Sequence, residues 1–341
     1  EALMFRNYLV TALRNIARHK LYSFINIAGL AVGLACVIFI ILFVRDELSY
    51  DKWIPGTENL YRMELTLSIP GRTPIPTAAI PYPMSPALKD QIPEVTGTTR
   101  LQREDMTLTA GDRQFIEQVD VVDPQFFHII QLPLVLGSPD TVLRNPESIV
   151  LSQAAARKYF GDANPIGKIV TTGRGGCADD DNVCKTQVIN LKVTGVAADI
   201  PHNSQLSGDA FIPTTSIADR YSQDQKRDWL SNNGFAYMML APGADPRNVV
   251  SKAERIFDAS VTGAIKSFGF NLSGSQVYKL HLTPFTQVHL NSSRWTFNLT
   301  PPGSWATVYG VAAMGLLILL VACFNFTNLA TARAMLRARE I

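Results

Sequence analysis

The stretch FINIAGLAVGLACVIFIILFV, residues 24–44, runs for twenty-one positions without a charge. At about 1.5 Å per residue it is long enough to cross a hydrocarbon core of roughly 30 Å. Fourteen of its residues are Leu, Ile, Val or Phe. On a translocon scale they favour insertion by roughly 4–8 kcal/mol. A cleaved leader or a buried core helix shares this hydropathy. A leader's apolar region is usually shorter and ends in small residues, whereas residues 38–44 are bulky. A second uncharged stretch, WATVYGVAAMGLLILLVACFNFTNLATA, occupies 305–332. The expected layout is a short tail (1–23), a transmembrane helix (24–44), a large exterior domain (45–304), a second transmembrane helix (305–332) and a short segment (333–341).

Charge sets the orientation. Arg6, Arg14, Arg18 and Lys20 precede the first span, and Arg333, Arg337 and Arg339 follow the second. Arg45, Asp46, Glu47, Asp51 and Lys52, just past the first span, carry no basic excess. The positive-inside bias puts both tails in the cytoplasm and the domain outside. Tyr50, Trp53, Trp305 and Tyr309 cluster at the outer span ends, where amphipathic rings favour the headgroup layer. Bulk composition hides this: a net charge of +2 and 18% charged residues look like a soluble protein. Nothing in the balance points to nucleic acid, because membrane topology already accounts for the basic tails.

Residues 4–20 read as an amphipathic helix. Phe5, Leu9, Ala12, Leu13 and Ile16 recur at helical spacing opposite Arg6, Arg14 and Arg18. Such a helix lies on anionic lipid or packs in the cytoplasm; the interfacial reading is preferred. Met4 is the expected natural start.

The exterior domain reads as α+β, with two subdomains built from strand–helix–strand units. Strands are expected at 60–69, 106–110, 115–122, 235–240 and 279–283, and helices at 85–91, 152–160 and 246–260. Gly111-Asp112 spaces a hairpin. Ser152 suits a helix N-cap, and Gly161 suits its end. The Pro-rich run 70–86 reads as a loop. Residues 45–120 and 231–304 are expected to form a membrane-proximal part, and 121–230 an outer insert.

Cys36 and Cys323 sit inside the spans as small apolar side chains. Cys177 and Cys184 lie within a Gly- and Asp-rich segment, 173–185, read as an exterior loop. In an oxidising compartment they can close a disulfide worth roughly 2.5 kcal/mol; two free thiols are the alternative. Asp179, Asp180 and Asp181 match no EF-hand spacing and read as a solvated acidic turn. GDANPIGK, at 161–168, has one residue too many between its glycines for a phosphate loop, and Ile169 stands where Ser or Thr belongs. The five histidines show no metal-ligand spacing, and no GxSxG elbow is present. No catalytic group, cofactor or metal is expected.

Within the spans, Gly29 and Gly33 form a GxxxG step that lets another helix approach closely. Asn26, near one end of the first span, matches Asn325 and Asn328 in depth. An interhelical hydrogen bond there is worth roughly 0.6 kcal/mol. With no ionisable residue at midplane, a polar transport path through these helices is disfavoured.

Several segments together carry a family resemblance: NIAGLAVG (26–33), ELSYDKW (47–53), LYR (60–62), VDPQFF (122–127), SIVLSQAAARKYFGDANPIGK (148–168), VTGVAADIPHNS (193–204), FNFTNL (324–329) and RAREI (337–341). In this order they resemble permeases related to MacB and FtsX, transmembrane subunits of a class of ABC transporters. The exterior domain resembles the MacB periplasmic core. The resemblance implies a bacterial inner-membrane protein whose partner, a cytoplasmic ABC ATPase subunit, drives helix motion that the periplasmic domain turns into work outside. It implies efflux or envelope work by mechanotransmission, without substrate passage through the membrane. A second permease copy or half, a periplasmic adaptor or substrate, and membrane lipid are the further partners implied. Relatives continue past the position of Ile341, so the chain reads as an N-terminal portion of a longer permease. No fused ATPase precedes it, unlike MacB itself. Arg337, Arg339 and Glu340 then begin the ATPase-facing segment, although topology alone accounts for the arginines. The competing reading is a two-span sensor with a periplasmic ligand domain; a membrane-anchored periplasmic enzyme is third.

Overall fold

The computed structural model describes residues 20–177, 184–216 and 227–338, with Met4, Val10 and Arg14 singly before them. Apart from these and Lys20, the expected amphipathic helix over 4–20 lies outside the described residues. Contacts divide the chain into two units, one holding the two long apolar helices and the other Ser49–Gly303. In chain order the main elements are α1 (Lys20–Glu47), β1 (Leu60–Leu67), β2 (Ile75–Thr77), β3 (Ile80–Pro81), α2 (Met84–Gln91), β4 (Val95–Ala110), β5 (Arg113–Val122), β6 (Leu134–Leu136) and β7 (Ser148–Ser152). They continue with α3 (Gln153–Phe160), β8 (Ile169–Cys177), β9 (Cys184–Ala197), β10 (Ala210–Pro213), β11 (Asn232–Leu240), α4 (Pro246–Ser267), β12 (Tyr278–Pro284) and α5 (Trp305–Ala338).

The helices α1 and α5 are the two candidate membrane spans by length and composition. Their side chains are mostly exposed along their length, as lipid-facing residues would be.

The second unit is one twelve-stranded sheet. The strands β12, β1, β11 and β4 neighbour one another in that order, all antiparallel. Met63 and Leu65 on β1, Met238 on β11 and Leu280 on β12 face α4, which answers with Val249, Ala253, Ile256, Phe257, Val261 and Ile265. That stripe explains why α4 continues to Ser267 instead of ending near 260. Val261, Thr262 and Gly263 are poor helix formers, but burial of Val261 and Ile265 outweighs a combined propensity deficit of roughly 2 kcal/mol.

At 16 residues, β4 extends beyond this half. It pairs along its upper length with β5, then β5 with β10, β10 with β7, β7 with β9, β9 with β8, and β8 back with β4 at Leu108 and Thr109. Six strands thus close into a ring, with parallel steps only at β10–β5 and β7–β9. Its interior is filled by side chains such as Leu108, Val121, Ile149, Leu151, Leu191 and Ile212, all wholly buried. Helix α3 covers one side, its N-terminus capped by Ser152 Oγ accepting from Ala155 N at 3.1 Å and its end turned by Gly161 at φ 63°.

Two readings need correction. Residues 173–177 and 184–185 are not loop but paired strand, the outer end of the β8–β9 ribbon. Glycine removes side-chain signal yet leaves every backbone donor for the ladder. The Pro-rich run 70–86 holds β2 and β3, short pieces pairing with β1 and β11.

Candidate functional site

The chain enters the sheet unit at Ser49 and leaves it at Gly303, and the two end segments meet. Asp51 is wholly buried, with a positive φ of 60°. Its carboxylate accepts from Ser204 Oγ at 2.7 Å, from Gln205 N at 3.0 Å and from Gln205 Nε2 at 3.0 Å. Its own N–H donates to the Asn203 carbonyl at 3.0 Å, while Asn203 Nδ2 donates to Ser49 Oγ at 2.8 Å. Asp enters the left-handed region more readily than most residues, and here long-range bonds from Ser204 and Gln205 hold its side chain. Burial pushes the Asp51 carboxyl above the ordinary carboxylate range, and the bonds from Ser204 and Gln205 oppose that rise.

Gln205 carries the connection onward. Its Nε2 also donates to the Phe285 carbonyl at 3.2 Å, and its Oε1 accepts from Tyr237 Oη at 3.1 Å. Beside it, the Tyr50 ring stacks on His289, centroids 3.4 Å apart and planes within 4°. The outgoing segment is fastened twice more. Arg62 on β1, 1% exposed, donates through Nη2 to Ser292 Oγ at 2.6 Å and Asn298 Oδ1 at 3.2 Å. It also pairs with the buried Glu64, whose other oxygen accepts from Thr283 Oγ1 at 2.6 Å. Desolvation holds the Glu64 carboxyl above its ordinary value, partly offset by Arg62. Arg103 on β4 forks onto Asp120 at 2.8 and 3.0 Å and reaches Ser207 Oγ at 2.7 Å and the Leu299 carbonyl at 3.4 Å.

The hub is therefore the loop at 203–207, between ring strands β9 and β10, clasped by both end segments. A cleft of about 390 Å³ opens beside it, lined in part by Tyr50, Asp199, His202, Asp209 and Pro301. Among the described residues no group of three His, Cys, Asp or Glu converges to hold a metal.

The residues singled out from sequence fall elsewhere. A Cβ on Gly33 would lie 3.2 Å from Ala322 Cβ, and one on Gly29 would lie 3.7 Å from Asn325 Nδ2. From the opposite helix, a Cβ on Gly315 would come within 3.0 Å of Ile40 Cγ2. The glycines thus set the spacing of α1 against α5. Asn328 is exposed on α5, and the Asn26 side chain lies outside the described residues. The backbones of Cys177 and Cys184 are cross-strand partners, but their side chains lie outside the described residues. Arg337 falls within the α5 backbone; its side chain, and Arg339 and Glu340 altogether, lie outside them. His281 on β12 bonds Thr66 Oγ1 at 3.0 Å.

The hub residues themselves were not singled out from sequence. The available signal was the resemblance: three of its segments, 47–53, 60–62 and 193–204, are distant in sequence yet contribute Asp51, Arg62 and Ser204 here.

A mixed α/β sheet whose two ends are drawn together and flanked by long apolar helices defines a membrane-anchored domain of one architectural class. The chain belongs to the family of the MacB-like periplasmic core domain, whose model matches residues 23–256. Its fold is similar to a domain of a permease protein from Porphyromonas gingivalis, at TM-score 0.51 and 21% identity over 68% of this chain and 92% of that one. The periplasmic region of MacB from Actinobacillus actinomycetemcomitans matches at TM-score 0.43 and 14% identity over 70% and 92% of the two chains. The extracellular domain of the noncanonic ABC-type transporter YknZ from Gram-positive bacteria matches at 0.42 and 14% over 65% and 100%. Among curated proteins no sequence matches.

Proposed function

We propose that the chain is a permease subunit of a mechanotransmission-type ABC transporter. It sits in the bacterial inner membrane with the sheet domain in the periplasm and both tails in the cytoplasm. A separate ATPase supplies the energy, and the residues after the second span, Arg337, Arg339 and Glu340, face it. A second permease copy or half completes the membrane part, and a periplasmic adaptor or substrate receives the motion. Gly29 and Gly33, with Asn26, Asn325 and Asn328, hold the two spans together. A Cys177–Cys184 disulfide staples the outer ribbon.

One observation carries this reading. The segment after the first span and the segment before the second are bonded to the same loop through Asp51, Gln205 and Phe285. A domain that merely hung from two anchors would have no need for buried polar groups joining them, since buried polar links are costly unless fully satisfied. A domain driven by its anchors needs that connection. The test is purification of the full-length protein from detergent-solubilised membranes, with ATP turnover assayed on what co-purifies. A stoichiometric ATPase whose turnover changes on assembly is expected; a preparation with no ATPase in any condition overturns the proposal.

A further inference from the structure

The two end segments are wired differently. The outgoing one is held by β1 through Arg62, by β4 through Arg103, and by backbone bonds between Thr296 and Pro76 and between Ala78 and Thr296. The incoming one takes its hydrogen bonds at Ser49 and Asp51 from Asn203, Ser204 and Gln205. The hydrogen bonds of one segment thus run mainly to the sheet and those of the other to a loop of the ring, with the Tyr50–His289 stack and the Arg103 bond to Ser207 crossing between them. Gln205 hydrogen-bonds to both, beside the stack of Tyr50 on His289 that also joins them. A neutral carboxamide has two N–H donors and an acceptor oxygen. Here one N–H goes to Asp51, the other to Phe285, and the oxygen to Tyr237 on β11. This arrangement uses each donor once, and exchanging the amide's N and O would set oxygen against two acceptors.

We infer that Gln205 is the positioning residue that makes the two membrane-linked segments move as one piece with the ring. Without it, the connection falls to the stack of Tyr50 on His289 and the bond from Arg103 to Ser207, and the incoming segment is held to the outgoing one more loosely. The cleft beside the loop gives the separated pieces room to part. The inference rests on the proposed transporter role for its purpose, but the tie is measurable without any ATPase.

The experiment is hydrogen exchange by mass spectrometry on the full chain in lipid nanodiscs, comparing wild type with Gln205→Leu, Gln205→Glu and Asn203→Ala. Exchange is expected to speed roughly 10- to 100-fold in peptides covering 49–54, where the lost acceptor is a carboxylate, and roughly 2- to 10-fold in those covering 285–291, where it is a carbonyl, in both Gln205 variants. Peptides covering 148–152 and 189–193 in the ring stay unchanged. Asn203→Ala, which removes the bond to Ser49 Oγ and leaves Gln205 in place, speeds 49–54 but not 285–291. Unchanged exchange at 49–54 in Gln205→Leu overturns the inference. So does a uniform rise across the domain in both Gln205 variants, which marks a general core residue. A local effect in a protein that recruits no ATPase leaves the tie standing and removes the transporter role.

Discussion

The Arg62–Glu64 pair offers a quantitative test of how the outgoing segment is held. Both side chains are almost wholly buried. Replacing Arg62 with Met keeps its apolar stem and removes the guanidinium. Glu64 then keeps only the bond from Thr283, and Ser292 and Asn298 lose a donor. Breaking a buried ion pair from one side typically costs about 3–5 kcal/mol, because a charge is left uncompensated. For a domain of this size that lowers the melting temperature by roughly 6–20 °C. The double variant Arg62→Met/Glu64→Leu removes both charges, and such apolar replacements are neutral or stabilising by about 1–4 kcal/mol. It should recover most of the loss. The sign of the pH effect follows from the same geometry. Desolvation already raises the Glu64 pKa, and removing Arg62 takes away the main opposing influence. The folded variant therefore binds a proton before the unfolded chain does, so acidification stabilises it. Thermal melts of the full chain at neutral and mildly acidic pH, arranged as a double-mutant cycle, read all three quantities. A single-variant loss below about 1 kcal/mol, or a double variant as unstable as the sum of its parts, refutes the reasoning.

Three further outcomes are expected. Asp51 has its carboxyl raised chiefly by burial, so wild type should gain stability relative to Asp51→Asn as pH falls from neutrality toward the ordinary carboxylate range; a stability difference that shrinks or stays flat contradicts this. Gly33→Leu places a branched side chain where Ala322 Cβ stands 3.2 Å from a modest Cβ, which should part α1 from α5. Labelling of Ala322→Cys by a membrane-soluble maleimide should then rise several-fold, and unchanged labelling would remove the glycine's packing role. Directly opposed residues of an antiparallel pair have Cα atoms about 4.5 or 5.5 Å apart, both inside the disulfide window of about 4.4–6.8 Å. Protein isolated from an oxidising compartment and unfolded without reductant should show two titratable thiols, Cys36 and Cys323; four thiols exclude the bond.

Much of the fold could be read from residues alone, for identifiable reasons. The spans announce themselves by length without charge, and α3 by Ser152 and Gly161, whose roles are local. The strand β1 was visible at nearly its observed bounds, whereas β7 was not. All five of its residues are buried, so the alternation that marks a half-exposed strand is absent. The outer part of β8 was hidden by its glycines, and the full reach of β4 by polar residues such as Arg103 and Gln102 that point into bonded or buried surroundings. The hub was the least legible part. Asp51 and Gln205 are 154 positions apart, and neither residue type in its own neighbourhood signals a buried bond. Only the closing of the sheet brings them together.

The single strand β4 belongs to both halves of the domain, pairing with β11 at one end and with β5 and β8 at the other. At about 3.3 Å per residue its sixteen residues make a beam roughly 50 Å long. The ring at its other end closes on itself and carries β6 as an extra strand against β9, so the beam moves it as one piece. Each degree of tilt at the β11 end then moves the ring end through roughly 0.9 Å, by simple leverage on that length. Small angular changes at the β11 end of the strand would be magnified into displacements the size of a side chain at the ring.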